Sequence, residues 1–474
     1  MSEAESKKLL LINPPWRLKE IYGKRVVAHG VFPPHGLISL AGYLREKGIE
    51  LDLVDADPLG YSVEDIKRII EEKKPDVVGL TVTTSTFKIA YDIAKAAKEC
   101  NAIVVMGGVH PTTVPKEVLK YSEIDYVIMG EGEEAFFELM QNIDDKDKVK
   151  EIKNLAYKED EKIVINERRA YTDNLDSFPM PAWDLLPIEK YRPYAGQPSQ
   201  KLPFISIFTS RGCPFDCIYC ETKIMCGKKA RLHSAERVIE EISTLYNKFG
   251  VRNIMFFDDI FTLDRKRLMK ICDYIIDNKL DLTWSCLGRV NCVDVEMLKK
   301  MKKAGCEIIS YGVESGDPEV LEFYRRGTSL EQIRKAFRWT EEEGIQIRAF
   351  FMVGSPLPER DIRKSIRKTV DFAKELNPES MYISILTPFP GSEMYELFAE
   401  KGFVREMDWS DFTMFHKTIM KVPGITQEEL AEILDKAYRE YYLRPKYIFK
   451  MLRKLKSPKQ FFSYLKASTA VFFS

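Results

Sequence analysis

The sequence predicts an α/β protein built as two successive units, a doubly wound parallel sheet and then a partial barrel, followed by a helical C-terminal region. Three observations carry this. Short β-rich runs alternate with amphipathic stretches over residues 8–140, six further strand–helix units follow from residue 203, and from residue 391 the apolar spacing turns helical. A length of 474 residues also exceeds what one ordinary core holds.

The N-terminal runs are KLLLINPP (8–15), ELDLVDAD (50–57), DVVGLTVTT (76–84), AIVVMGG (102–108) and YVIMGEGE (126–133). Helical patterns such as HGLISLAGYLREKG (35–48) and FKIAYDIAKAAKEC (87–100) lie between them. That alternation means βαβ units and a parallel sheet covered on both faces. Each run ends in Pro, Asp, Thr or Gly, so its carboxyl edge is polar and tightly turned. Doubly wound sheets bind ligands at that edge. Residues 1–142 therefore form a Rossmann-like ligand-binding domain. Residues 143–200, charged and then Pro-rich, form a connector. The runs PFISIFTS, NIMFFDD, LTWSCLG, EIISYGVES, IRAFFMVG and SMYISILTP place a partial (β/α)6 barrel over 201–392. Such barrels carry chemistry at the carboxyl ends of their strands. Residues 393–474 complete the chain as the helical region.

Charge excludes some function classes. Lys+Arg and Asp+Glu both number 72, so no bulk charge draws the protein to nucleic acid or membrane. The N-terminal apolar run is too short for a signal peptide, and no later segment has membrane-spanning length, so a cytoplasmic protein is expected. Of nine cysteines, Cys100 stands apart and eight fall between Cys213 and Cys306. A disulfide scaffold would be shorter and would scatter its pairs. Crowding of this kind points to a metal site plus buried thiols.

The site is Cys213, Cys217 and Cys220 in RGCPFDCIYC, directly after the first barrel strand. Three thiolates leave one iron of a four-iron cubane open for chemistry. A zinc site needs a fourth ligand, and Cys226 and His233 supply no second paired motif. Three unligated thiols in eight residues have no packing role.

The C-x3-C-x2-C spacing, with aromatic Tyr219 before its last cysteine, resembles that of the radical S-adenosylmethionine superfamily. The resemblance implies a 4Fe–4S cluster that chelates the methionine end of S-adenosylmethionine and cleaves it to a deoxyadenosyl radical. It implies cosubstrate contacts from Tyr219, from Asp258 and Asp259 (FFDD), from Arg289 (LGRV), and from Gly312, Glu314 and Ser315 (YGVES). Helix capping is the other reading of the Asp and Ser positions.

The N-terminal half resembles the cobalamin-binding domain that precedes this barrel in one large subclass. Its matching pieces are INPP (12–15), PPHGLISLAGYL (33–44), TVTTST (81–86), GGVHPT (107–112) and GEGE (130–133). The resemblance implies cobalamin contacts from Asp57, Thr81, Thr83, Ser85, Gly107, Gly108, His110, Gly130, Glu131 and Gly132. Methionine-synthase-like domains place a cobalt-ligating His in a D-x-H-x-x-G loop, and here Asp57 occupies that position. Cobalt is therefore expected to lack a lower imidazole. His110 is expected to bond locally or to face the domain interface.

These resemblances imply hydrogen abstraction from an unactivated carbon, with methylcobalamin as methyl donor. Cobalamin-dependent cyclisation, rearrangement or oxidation shares the same cofactor shell, and a non-catalytic cobalamin sensor is the reading from another class. The implied partners are a small-molecule or lipid-like substrate and a reducing protein such as ferredoxin or flavodoxin. After Glu440 the chain has no acidic residue but eight Lys and Arg interleaved with aromatics. Such a tail suits either peripheral contact with an anionic membrane or packing on the barrel.

Overall fold

The computed structural model describes residues 7–16, 30–194, 197–199, 201–357, 361–405, 408–409, 412 and 418–454. Strands β1 (Leu9–Asn13), β2 (Leu51–Asp55), β3 (Val77–Thr81), β4 (Ile103–Gly107) and β5 (Tyr126–Ile128) pair in parallel. Strands β6 (Leu155–Glu159) and β7 (Lys162–Ile165) add on antiparallel, giving the order β2-β1-β3-β4-β5-β6-β7. β1 is apolar from Leu9 to Ile12 because both its faces are covered. Leu9 and Leu11 pack with helices His35–Glu46 and Glu133–Asn142, while Leu10 and Ile12 pack with Val63–Lys73 and Phe87–Glu99. The order reverses between β1 and β3, and the crevice for a ligand opens there.

β6 and β7 fall in the stretch expected to be connector, so the boundary at residue 142 lies inside this sheet. Their apolar alternation is diluted by Lys158, Glu159, Asp160, Glu161 and Lys162, which form the hairpin turn and its flanks. Asp160 takes the left-handed conformation (φ 53°) that a two-residue hairpin asks for. The rest of the connector is a strap. Its Trp183, Leu186, Ile188 and Tyr191 enter the barrel core, and Ala182 N–H donates to Ile38 O at 3.0 Å on the first helix.

The barrel begins with β8 (Phe204–Ile207), after which a two-residue ladder joins β9 (Ser210–Arg211) to β10 (Arg231–Leu232). Then come β11 (Asn253–Phe256), β12 (Thr283–Gly288), β13 (Cys306–Glu314), β14 (Gln346–Val353) and β15 (Ser380–Ile385). The order β15-β14-β13-β12-β11-β8 is parallel throughout, as expected of the six runs. Helices Ala235–Lys248, Arg265–Asp277, Val295–Lys303, Leu330–Glu342 and Ile362–Leu376 are interleaved with these strands. Each starts on a Ser or Asp (Ser234, Asp264, Asp294, Ser329, Asp361) whose side chain accepts a first-turn N–H. Ile205, Ile254, Phe256, Trp284, Ile309, Tyr311 and Phe351 share the barrel's hydrophobic core with these helices. The alternate residues, among them Ser206, Asn253, Ser285, Ser310 and Arg348, face the lumen.

The edge strand β15 is covered by helix Gln427–Tyr442. Met381 N–H donates to Tyr442 Oη at 2.9 Å and Ile383 N–H to Tyr438 Oη at 3.0 Å, so two phenols occupy the open edge. A last helix, Pro445–Lys454, follows.

Candidate active site between the sheet and the barrel

The cysteine loop leaves β9 through Gly212, whose φ of +83° and close carbonyl neighbours from Cys226 and Lys229 exclude a side chain. Cys217 is buried, and Cys213 and Cys220 are partly exposed; none is in a disulfide. The loop is pinned where Ile218 N–H donates to Tyr324 O at 3.3 Å and Met394 N–H to Ile218 O at 2.9 Å. Lys223 adds an ion pair to Asp216 at 2.9 Å. Among the described residues no three His, Cys, Asp or Glu side chains close on a site for a single ion. A four-iron cube differs, since it takes each thiolate on a separate iron.

Positive charge gathers on one sulfur. Arg289 Nη1 lies 3.9 Å and Arg326 Nη1 3.8 Å from Cys217 Sγ. Both guanidiniums are buried, and Arg289 also stacks 3.7 Å over the Phe215 ring. Arg326 donates to Gly312 O at 2.6 Å and stands 3.8 Å from Glu314. Burial pushes the Glu314 carboxyl up, against the pull of Arg326 and a bond from Tyr219. Burial likewise raises the Cys213 thiol to about 11, with Asp259 adding to it. That thiol holds its proton until a metal displaces it. Three free thiols on one short loop, beside two buried cations, fit an anionic iron–sulfur cluster.

A cavity of about 490 Å³ lies between the carboxyl ends of β1, β3, β4 and β5 and the cysteine loop. Its sheet side is lined by Leu11, Gly79, Thr81, Gly107, Gly108, Gly130, Gly132 and Phe136. Gly108 (φ +99°) sits so close to Val82 that a Cβ would fall 2.8 Å from the Val82 carbonyl. At Gly79 a Cβ would fall 2.7 Å from Leu11 Cδ2 and 3.1 Å from the Phe136 ring. Small residues thus keep a slot open into the sheet domain, which fits a large cofactor with a tail. Its barrel side is lined by Arg211, Thr222, Cys226, His233, Glu241 and Asp259. Thr222 Oγ1 lies 3.3 Å from both Cys220 Sγ and Asp259 Oδ1, so the cavity ends at the cysteines.

Three ion pairs fix the domains around it. Arg211 pairs with Glu133 at 2.6 Å and with Glu131 at 3.5 Å, and the buried Arg231 pairs with Glu131. Burial would raise the Glu133 carboxyl, but Arg211 and a bond from Ser39 hold it below its ordinary value.

The expected contacts fall into three groups. Thr81, Gly107, Gly108, Gly130, Glu131, Gly132 and Asp259 line the cavity. Tyr219, Arg289, Gly312 and Glu314 gather around Cys217 and Arg326. The remainder make other contacts in this structure. Both Asp258 oxygens accept from Thr209, at 2.8–3.1 Å, and Oδ1 also from Ser210, bracing the approach to the cysteine loop. Ser315 is spent on Thr369 Oγ1 at 3.1 Å and Asp317 N–H at 3.0 Å. Thr83 caps the turn to Thr86, and Ser85 donates to Phe412 O at 3.0 Å. His110 is wholly buried between Phe87 and Trp409, its Nδ1 3.3 Å from Thr84 Oγ1. Asp57 sits in the short helix Ala56–Leu59 and does not line the cavity.

Arg326, Arg211 and Gly79 went unnoticed in sequence. Arg326 had a signal in YRRGTS, two cations and a glycine after a short helix, and Gly79 interrupts an otherwise branched strand, the usual mark of a close approach.

Comparison with known proteins agrees with this geometry. The B12 binding domain family matches residues 25–140 and the Radical SAM superfamily matches residues 207–369. The uncharacterized methyltransferase PH0819 of Pyrococcus horikoshii is 37% identical over 94% of this chain and 94% of its own. The anaerobic magnesium-protoporphyrin IX monomethyl ester cyclase of Rubrivivax gelatinosus is 28% identical over 88% of this chain and 75% of its own. In fold, the chain resembles the radical S-adenosylmethionine methyltransferase TsrM from Kitasatospora setae, solved with cobalamin and a 4Fe–4S cluster. That match has a TM-score of 0.68 and 20% identity, over 85% of this chain and 76% of that one. The chain belongs to the radical SAM superfamily, in the class whose barrel follows a B12-binding domain.

Proposed function

We propose that this enzyme cleaves S-adenosylmethionine reductively at a 4Fe–4S cluster on Cys213, Cys217 and Cys220 and methylates an unactivated carbon of a small molecule, with cobalamin as methyl carrier. The observation that carries this is the single cavity running from the glycine-lined slot of the sheet to Thr222 and Asp259 at the cysteine loop. Held by Cys213, Cys217 and Cys220, the cluster would supply one electron to the sulfonium, and cobalamin in the glycine-lined slot would supply the methyl group.

The chain's own residues bind and orient. Arg289 and Arg326 offset the negative charge of thiolate ligands at Cys217. Glu314, held on a backbone of φ +68°, accepts hydrogen bonds from the cosubstrate, and Asp259 does the same from the cavity side. Burial of Glu314, Arg289 and Arg326 excludes water from a site where a carbon radical would be quenched. Electrons come from a reducing protein of ferredoxin or flavodoxin type. The test is anaerobic incubation of the reconstituted chain with methyl-labelled S-adenosylmethionine and reductant. Deoxyadenosine and labelled methylcobalamin should both accumulate, and absence of either removes the corresponding half of the proposal.

Among the described residues no helix is long and apolar enough to cross a membrane. Peripheral contact is nevertheless part of the proposal. Helix Pro445–Lys454 docks through Lys450, bonded to Asn377 O at 2.7 Å and paired with Glu379 at 2.7 Å, and through Tyr447. It exposes Ile448, Phe449 and Leu452 beside Lys446 and Arg453. An apolar ridge turned outward with cations beside it suits an anionic bilayer. Lys456, Lys459, Lys466 and the aromatics after them lie outside the described residues. Co-sedimentation with phosphatidylglycerol vesicles, lost on Phe449→Ser, is the expected result; equal pelleting with neutral vesicles contradicts it.

A further inference from the structure

The barrel lumen holds a buried cation that no described residue neutralises. Arg348, third residue of β14, is 2% exposed, and its Nε and Nη1 are buried without a hydrogen-bond partner. No ion pair reaches its guanidinium among the described residues. Its near neighbours are two phenol rings, Tyr194 at 4.6 Å and Tyr382 at 5.9 Å from the guanidinium carbon. Ring faces attract a cation, but far more weakly than water does, so they do not make good the burial. The adjoining register positions are Ser310 on β13 and Ser380 on β15. Ser310 Oγ is itself buried and unpartnered, and so is Ser285 Oγ on the next strand. Buried polar groups are nearly always satisfied by protein, ordered water or a ligand, so a group of them left open in one lumen calls for a partner.

We infer that Arg348, with Ser310 beside it, is the anchoring subsite for an anionic group of the substrate, a carboxylate or a phosphoryl-type oxyanion. The position fits that task. Gly312 of the cosubstrate cluster pairs with Phe350, two residues further along β14 toward the carboxyl end. At the strand rise this puts Arg348 about 7 Å below the level of Gly312. A small molecule held by its anionic end would thus direct carbons several bonds away toward the cosubstrate. The planar guanidinium matches the two oxygens of such a group, and the hydroxyl of Ser310 adds a donor. His35, whose Nε2 lies 2.9 Å from Ser206 Oγ, also faces this lumen, and burial lowers it to about 3. It is neutral at physiological pH and does not compete for the anion. The inference rests on the proposed function for its substrate, but not for its test.

The test is thermal unfolding and equilibrium titration of the full chain with benzoate, phenylphosphonate and the neutral isostere benzamide. Benzoate or phenylphosphonate should raise the melting temperature by a few degrees at saturating concentration, and benzamide should not. The stronger of the two anions identifies the class of headgroup. Arg348→Met should weaken that anion by roughly 30-fold or more, as removal of a buried charged partner does. It should also melt higher than the wild type without ligand, because it removes an uncompensated charge. Ser310→Ala should weaken the same anion several-fold with unchanged melting. Equal response to benzamide, or an Arg348→Met variant that melts lower and binds the anion as before, overturns the inference. So does an Arg348→Met variant that loses S-adenosylmethionine affinity instead of anion affinity. None of these readouts requires turnover, so their failure leaves deoxyadenosine formation as a separate test of the proposed function.

Discussion

Replacing Gly79 by valine tests the slot that the sheet offers to cobalamin. In the native chain a Cβ at this position would stand 2.7 Å from Leu11 Cδ2 and 3.1 Å from Phe136 Cζ. Overpacking of this kind ordinarily costs about 1–3 kcal/mol. Here both neighbours line the cavity of about 490 Å³, so each can swing into open space. Valine also suits a central strand. The apo chain should therefore lose no more than about 1 kcal/mol, at the low end of the overpacking range. The cofactor bears the loss instead. Displacing the equivalent of two to four methylene contacts, at ~0.8 kcal/mol each, removes about 2–3 kcal/mol of binding. That is a 30- to 100-fold weaker corrin affinity, within the usual conversion of about 1.4 kcal/mol per decade. The assay is anaerobic spectrophotometric titration of the full chain with hydroxocobalamin, with iron content as the control. A folded Gly79→Val chain that keeps its iron and binds the corrin as the wild type does would refute the slot.

Three further outcomes are expected. Glu133→Gln should cost about 1.5–3 kcal/mol, the worth of a hydrogen bond to a charged group, because Arg211 Nη2 and Ser39 Oγ lose their charged acceptor. The folded carboxyl lies below its ordinary value, so this stabilisation is complete above about pH 4.3 and fades as pH falls through the folded value; a difference in melting temperature that does not vary with pH would contradict it. Arg326→Gln should keep the iron yet weaken S-adenosylmethionine about tenfold or more, since Glu314 loses its countercharge at 3.8 Å; unchanged affinity in titration would make Arg326 a packing residue. Co(II)-loaded protein should show no nitrogen hyperfine splitting from a protein imidazole, because His35 and His233, the histidines lining the cavity, are engaged by Ser206 and Asp176. A resolved imidazole coupling in the electron paramagnetic resonance spectrum would reassign one of them.

The parallel strands were legible because each is a short β-rich run between turn residues. β6 and β7 were not, since their charged turn residues mask a two-residue period. The cysteine loop was readable from spacing alone. The roles of polar strand-end residues were readable only in part, because sequence places a side chain at an edge without saying which way its oxygens turn. Asp258 and Asp259 are adjacent, yet one is wholly taken by Thr209 and Ser210 while the other lines the cavity. The Thr/Ser run after β3 divides similarly, Thr81 toward the cavity and Ser85 toward the C-terminal segment. Contacts made across domains, such as Arg211 with Glu133 over 78 residues of chain, leave no local pattern to find.

The central claim is that one chain holds two separable cofactor sites meeting at one cavity. Wild-type protein and Cys217→Ala, each loaded anaerobically with iron, sulfide and hydroxocobalamin, test it by corrin, iron and deoxyadenosine content after reduction with S-adenosylmethionine present. The wild type should carry about four irons and a corrin, and it should release deoxyadenosine. The variant should lose iron and deoxyadenosine while keeping the corrin, whose slot lies in the sheet. Deoxyadenosine formed by the variant, or a corrin that departs with the cluster, would contradict the account.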